Sequence, residues 1–369
     1  MIAEPKFAFN ACPMDFQVRH GRGARSNVTG RYEQEKRDYF DDGWDTMDAL
    51  ADLKTYVQTE HAKSIITHND SPDLSFDQSL NPYRGCEHGC SYCYARPMHA
   101  FLGHSPGLDF ETNLYAKTNA AEVLEAQFRQ PGYKVKTIAL GSATDAYQPI
   151  ERQHKITRRI LTVMARYRHP FVIATKSYLI TRDIDILKDM AQLGLTKAAL
   201  SVTTLDRDVA RKMEPRAATP ARRLEAIAQL SAAGIPTTVL VAPVIPGLND
   251  HEIEQILLSA KQAGATSAAY VMLRLPLELK QLFREWLASE FPNRMKRVIN
   301  ILQNMHGGRD YNPEFHVRQK GTGPFAELVA TRFRLAMKRY RLNKKGLGLR
   351  TDLFRVPGQP QSQMDLFND

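Results

Sequence analysis

From about residue 72 the chain alternates between two hydrophobic patterns. Short runs rich in β-branched residues, Leu74–Leu80, Thr137–Leu140, Phe171–Thr175, Ala198–Val202, Thr237–Val241 and Ser267–Val271, predict strands. Between them, Thr118–Arg129, His154–Arg168, Arg182–Leu193, Pro220–Ala233 and Asp250–Ala263 carry apolar residues at three- and four-residue spacing, which predicts amphipathic helices. Gly194, Gly234 and Gly264 stand just past three of these helices, where a left-handed cap favours glycine. Five βα pairs followed by a sixth strand predict an α/β fold, a partial (βα)6 barrel with helices outside a parallel sheet. Ligands of such folds collect at the carboxyl ends of the strands.

The flanks read differently. Residues 1–70 are polar and form an N-terminal irregular extension, in which Arg19-His20-Gly21-Arg22-Gly23-Ala24-Arg25 is basic, glycine-rich and expected to be flexible. Residues 71–305 are the core, completed by helices over Leu277–Ser289 and Asn293–Met305. After the break at His306-Gly307-Gly308, residues 306–350 form a basic C-terminal extension with a helix over Pro324–Arg341. Arg332, Arg334, Lys338, Arg339, Arg341, Lys344, Lys345 and Arg350 follow one another there without an acidic residue. Residues 351–369 are expected to be a mobile tail. The formal net charge of +10 fits either a polyanion partner or a merely soluble basic protein. No apolar run approaches the ~18 residues of a membrane span. Met1 to Ala11 lacks the pattern of a secretory signal, so the expected compartment is cytoplasmic.

Three of the four cysteines fall together, in Gly85-Cys86-Glu87-His88-Gly89-Cys90-Ser91-Tyr92-Cys93-Tyr94. They are too close for a disulfide framework and point to a metal in a reducing compartment. Three thiolates on a four-iron cluster would leave one iron open, as a catalytic centre needs. Zinc on the three cysteines plus His88 or His99, or three unligated thiols, are the other readings of the same spacing.

The Cys-x3-Cys-x2-Cys segment, with an aromatic residue before its last cysteine, resembles the signature of the radical S-adenosylmethionine superfamily. That resemblance implies a TIM-like partial barrel and a [4Fe–4S] cluster on Cys86, Cys90 and Cys93. It also implies cleavage of S-adenosylmethionine to a 5′-deoxyadenosyl radical and an external electron donor such as flavodoxin or ferredoxin. Over residues 74–275 the chain is similar to the spore photoproduct lyase branch. The likeness rests on Asn81-Pro82-Tyr83-Arg84-Gly85, Ser142-Ala143-Thr144-Asp145-Ala146-Tyr147-Gln148-Pro149, Thr175-Lys176-Ser177, Ser201-Val202-Thr203 and Pro243 to Asp250. It implies that Gly141, Ser142 and Ala143 meet the methionyl amine with Asp145 nearby, that Lys176 meets the carboxylate, and that Ser201 bonds the carboxylate or ribose. Glu214 and Arg216 would either reach the site or pair locally. Two departures stand out. Gly141-Ser142-Ala143 replaces the Gly-Gly-Glu run of many members. No cysteine follows Cys93 to return a hydrogen atom, which leaves Cys12, Tyr147, Tyr83 and Tyr94 as candidate relays.

Gln363 to Phe367 resembles the pentapeptide by which bacterial DNA enzymes dock on the replication sliding clamp. Gln363, Met364, Leu366 and Phe367 would be the anchors. Tail, basic segment and barrel agree on DNA as the partner, and the leading expectation is action on a damaged pyrimidine pair in it. The same chemistry on a protein, tRNA or small molecule, and a non-catalytic iron–sulfur or zinc nucleic-acid-binding protein, are the alternatives.

Overall fold

A computed structural model of the chain describes residues 21–33, 53–343 and 348–358. Cys12 and the tail positions Gln363, Met364, Leu366 and Phe367 lie outside the described residues. Ten strands form: β1 (Tyr56–Glu60), β2 (Ile66–His68), β3 (Gln78–Leu80), β4 (Tyr83–Arg84), β5 (Asn113–Lys117), β6 (Ile138–Leu140), β7 (Phe171–Thr175), β8 (Thr196–Ser201), β9 (Thr237–Val244) and β10 (Ser267–Met272). The main sheet has the order β10-β9-β8-β7-β6-β3-β2. Its pairings are parallel from β3 through β10, and only β2 is antiparallel, at the β3 edge. The six expected strands are thus all present in one parallel run, an open partial barrel.

The helices that cover the sheet are α1 (Ala120–Phe128), α2 (Ile156–Arg166), α3 (Ile184–Gln192), α4 (Arg207–Met213), α5 (Pro220–Ala232), α6 (Ile253–Gln262), α7 (Leu279–Glu290), α8 (Pro292–Met305) and α9 (Gly323–Arg339). Helix α2 shows why the periodicity was readable: Ile156, Ile160, Val163 and Met164 are buried. They repeat at three- and four-residue steps, one face of a helix. The expected helix over His154–Arg168 is nevertheless interrupted at Lys155, whose φ is 50°. The buried Glu151 carboxylate accepts the backbone N–H of Thr157 at 3.0 Å, so the second helix starts on an acid cap that a straight helix would not reach. Gly194, with φ +71°, turns the chain after α3 and its N–H bonds Ala191 O at 3.0 Å.

Two expectations for the flanks are corrected. Residues 1–70 are not wholly irregular: β1 pairs in parallel with β5, and β2 edges the main sheet. Within the glycine-rich stretch, Arg22, Ala24 and Arg25 are 3%, 2% and 7% exposed, so from Arg22 onward it is a packed segment rather than a flexible one. The basic helix α9 is amphipathic. It buries Ala326, Val329, Phe333 and Ala336, sets Phe333 4.6 Å from the ring of Tyr270 on β10, and ties Arg332 to Glu254 of α6 at 2.6 Å. It therefore packs against β10 and α6. The open side of the barrel is bridged as well. Met272 N–H donates to Gln319 O at 2.8 Å, while Arg318 Nε and His316 N donate to the Asp73 carboxylate ahead of β3 at 2.6 and 2.7 Å. Among the described residues no helix is long and apolar enough to cross a membrane.

Candidate active site

The cysteine loop leaves β4 through Gly85, whose φ is +72° and whose absent Cβ would lie 2.6 Å from Leu114 Cδ2 and 2.8 Å from Phe110 O. Only glycine fits both restrictions. The Cys86 N–H then donates to Phe110 O at 2.9 Å, the Ser91 N–H to Met213 O at 3.0 Å, and the Arg96 N–H to Cys93 O at 3.1 Å. Side chains brace the loop from the β6 side. Thr144 Oγ1 donates to Gly85 O at 2.7 Å, and Gln148 Oε1 accepts the Glu87 N–H at 2.7 Å.

Beneath the loop lies a buried charge pair. Arg96 Nη2 and Glu111 Oε1 are 2.5 Å apart with both side chains at 0% exposure. Arg96 Nε also donates to Cys90 O at 2.9 Å. Glu111 in turn accepts the N–H groups of Gly23 and Ala24 at 3.0 and 2.7 Å. The glycine-rich segment is therefore a strap under the cysteine loop. Gly23 makes it possible, because a Cβ there would stand 1.7 Å from Gly89 O.

Cys86 and Cys90 are buried, and Cys93 is partly so. Burial first, and then Asp145 and the neighbouring sulfurs, push the Cys86 thiol up. Burial pushes Cys90 up to about 12 despite the nearby Lys176 ammonium. These thiols resist ionisation on their own, unlike exposed redox thiols. Among the described residues no three His, Cys, Asp or Glu groups converge as ligands of a single ion. A four-iron cluster needs less convergence, since each iron takes its own thiolate. The two candidates for a fourth zinc ligand sit in different surroundings. His88 Nδ1 faces Asp145 Oδ2 at 3.3 Å, and His99 is enclosed beside Phe110, with burial lowering its pKa to about 4.

The loops after β3, β6, β7 and β8 meet this centre at one rim. Asn81 is the link that spacing alone did not single out. Its Nδ2 donates to Ser142 Oγ at 3.1 Å and its Oδ1 accepts the Ala143 N–H at 2.8 Å. Gly141, with φ +85°, turns the chain into that loop, its N–H on Leu80 O at 3.0 Å. Asp145 accepts Thr175 Oγ1 at 2.7 Å and the Lys176 N–H at 2.8 Å. Burial opposes its ionisation, yet His88 and these donors hold its pKa below the usual carboxylate range. Lys176 sits 5.7 Å from the Tyr92 ring centroid. Burial disfavours its charge, but Cys90, Glu214 and Asp145 outweigh it and raise its pKa.

Glu214 does reach the site and is not paired with Arg216. It is buried among Tyr92 Oη, Arg223 Nη2 and Thr203 Oγ1, the last at 3.0 Å. Arg223 also donates to Ser201 O at 3.1 Å, fixing the end of β8. In sequence Arg223 looked like any surface charge of α5, and no local signal marks it. Arg216 instead bonds Glu87 of the cysteine loop at 2.6 Å. The tyrosines separate by position. Tyr147 and Tyr83 are enclosed in the core, with hydroxyls committed to Asp183 at 3.0 Å and to Glu151 at 2.5 Å. Neither phenol opens on the rim. Tyr94 does: it is 47% exposed and donates to Ser142 O.

The comparisons agree with this geometry. An uncharacterised protein of Mycobacterium tuberculosis is 37% identical over 230 residues, which cover 62% of this chain and 68% of its own. A radical SAM Nalpha-GlyT isomerase of Pseudomonas phage M6 is 30% identical over 200 residues, 50% of this chain and 38% of that one. A spore photoproduct lyase variant shares the fold at a TM-score of 0.52 and 15% identity, covering 78% of this chain and 79% of its own. The sequence profile described as the radical SAM superfamily matches residues 80–260. With its three clustered cysteines at the head of an open six-stranded parallel barrel, the chain belongs to the radical SAM superfamily, whose enzymes use a [4Fe–4S] cluster and S-adenosylmethionine.

Proposed function

We propose that this enzyme acts on damaged DNA, as a lyase-like repair enzyme whose cluster sits on Cys86, Cys90 and Cys93. The cluster and S-adenosylmethionine, when bound, supply one-electron cleavage of a sulfur–C5′ bond and a radical able to take a hydrogen atom from substrate. The chain's own part is positioning. The Asn81 bridge presents the Ser142 hydroxyl and the Gly141–Ala143 backbone to the methionyl amine. Lys176 offers a point charge to the carboxylate, and Ser201, held through Arg223, stands at the neighbouring strand end. Cys90, Glu214 and Asp145 favour the charged form of Lys176.

The observation that carries the reading is this convergence of Asn81, Ser142, Asp145, Lys176 and Glu214 around the cysteine loop at the carboxyl ends of β3 to β8. DNA as substrate is supported by the net charge of +10 and by the shared fold with spore photoproduct lyase, one complex of which holds a dinucleoside spore photoproduct. The tail motif Gln363 to Phe367, with Met364, Leu366 and Phe367 as apolar anchors, would tether the enzyme to a bacterial sliding clamp, and a flavodoxin or ferredoxin would deliver electrons. The test is 5′-deoxyadenosine release from anaerobically reconstituted protein with reductant, with and without ultraviolet-irradiated DNA. Stimulation by the irradiated DNA supports the reading; release indifferent to any DNA overturns the substrate. For the tail, a labelled 357–369 peptide should bind the clamp and lose binding on Phe367→Ala.

A further inference from the structure

Other arginines around the cysteine loop face a carboxylate: Arg96 meets Glu111, Arg223 meets Glu214 and Arg216 meets Glu87. Arg274 does not. It follows β10, at the same carboxyl rim as the cysteine loop. Its neighbours Leu273 and Leu275 are 1% and 0% exposed and pack with Phe283 and Trp286. Alternation along the extended chain sends Arg274 to the other side. There its guanidinium lies 5.1 Å from the ring centroid of Tyr94, the exposed tyrosine that follows Cys93. Its Nη2 reaches only the Tyr311 hydroxyl, at 3.5 Å, too long for a strong bond. Its Nε is shut off from solvent and has no hydrogen-bond partner. Among the described residues no carboxylate pairs with it.

A buried, unpaired donor on a permanently charged group costs free energy, and a protein retains one where something else supplies the acceptor. The fork of a guanidinium matches two oxygens of a phosphate or carboxylate. Lys176, the other cation near Tyr94, is already surrounded by Cys90, Glu214 and Asp145. Among the described residues around Tyr94, Arg274 is thus the cation with no carboxylate beside it.

We propose that Arg274 anchors an anionic oxygen group of the substrate. On the DNA reading above, on which this rests, that group is the phosphodiester beside the reacting base, so that Arg274 sets a preference for a phosphate-bearing substrate. Equilibrium dialysis on the reconstituted full chain tests it. The probes are ultraviolet-irradiated thymidylyl-thymidine, its uncharged methylphosphonate counterpart, inorganic pyrophosphate and S-adenosylmethionine. Wild type should bind the phosphate form about tenfold to a hundredfold more tightly than the neutral form, the range expected for a charge-assisted pair. R274Q should bind the two equally weakly, and R274K, which keeps the charge without the fork, should fall between. K188Q removes an exposed charge on α3 and should behave as wild type; matching thermal melts for the R274 variants would show that folding is intact.

An R274Q that keeps the phosphate preference, or that loses S-adenosylmethionine binding instead, overturns the proposal. Wild type binding both dinucleotides equally also overturns it while leaving the DNA reading in place. Arg274-dependent binding of pyrophosphate with no binding of either dinucleotide upholds the anion anchor and removes the DNA reading. No binding of any of these anions overturns both.

Discussion

The strap beneath the cysteine loop makes a prediction that distinguishes a structural hub from a simple ion pair. Glu111→Gln would remove the charge facing Arg96, whose side chain is 0% exposed. Breaking a buried pair by removing one partner costs about 3–5 kcal/mol. Unfolding entropy of about 2.1 cal/mol/K per residue over 369 residues gives about 0.8 kcal/mol/K. The expected fall in Tm is therefore about 4–6 °C. The same change at Glu122, 66% exposed and 3.8 Å from Arg159, removes an exposed pair and should shift Tm by about 1 °C or less. The double variant Arg96→Met with Glu111→Met carries the sharper expectation. Replacing a buried pair by apolar side chains is often neutral, but here it would also orphan the N–H groups of Gly23 and Ala24, each costing about 1–3 kcal/mol. It should stay at least about 2–3 °C below wild type. Scanning calorimetry reads all three variants, and iron per chain after anaerobic reconstitution reads the consequence for the loop, because Arg96 also holds Cys90 O. An E111Q protein melting within about 1 °C of wild type, or a double variant that recovers wild-type Tm, would refute the reasoning.

Further outcomes follow from the same structure. Gly23→Ala places a Cβ 1.7 Å from Gly89 O and should lower iron retention markedly, measured by iron and sulfide content; retention equal to wild type would contradict the close approach. Lys176→Gln should weaken S-adenosylmethionine binding about tenfold or more by equilibrium dialysis, since a charged hydrogen-bond partner is lost, and unchanged binding would remove Lys176 from the site. Burial lowers the His169 pKa to about 3, below the ~6.5 of an unfolded histidine. The unfolded state therefore binds the extra proton between those values, so the stabilisation is complete above about pH 6.5 and is lost as pH falls toward about 3, at about 1.4 kcal/mol per pH unit. His169→Phe should flatten that slope in urea titrations, and an unchanged slope would assign the acid sensitivity elsewhere.

What could be read from the sequence is what repeats locally. The apolar spacing of α2, the strand Phe171–Thr175 and the glycine after α3 each depend on neighbours within a few residues, and each formed where expected. The cysteine trio was equally visible because its spacing is its meaning. The strap was not. Arg22 and Gly23 have the composition of a flexible linker, and their burial depends on Glu111, about ninety residues away, and on a backbone contact with Gly89 that only the tertiary fold creates. The same holds for Arg223 on α5: its partners Glu214 and Ser201 O come from other elements, so its sequence context is that of any helix-surface arginine.

This division follows from how the centre is built. A loop carrying three cysteines has no regular backbone ladder of its own, so its shape is set by groups that reach it from elsewhere. Phe110 O and Met213 O take its N–H groups, Thr144 and Gln148 brace its start, and Arg96 with Glu111 supports its middle. These supports come from four separate stretches of the chain, and those of Arg96 and Glu111 are buried charges that are stable only together. The loop's geometry is therefore cooperative with the folding of the N-terminal strap. Removal of the strap should act on cluster retention before it acts on the parallel sheet, whose ladders do not include it. A chain beginning at residue 53 would separate the two: retained helical circular dichroism with lost iron would fit this order, whereas full iron content in that truncated chain would show that the loop holds its shape without the strap.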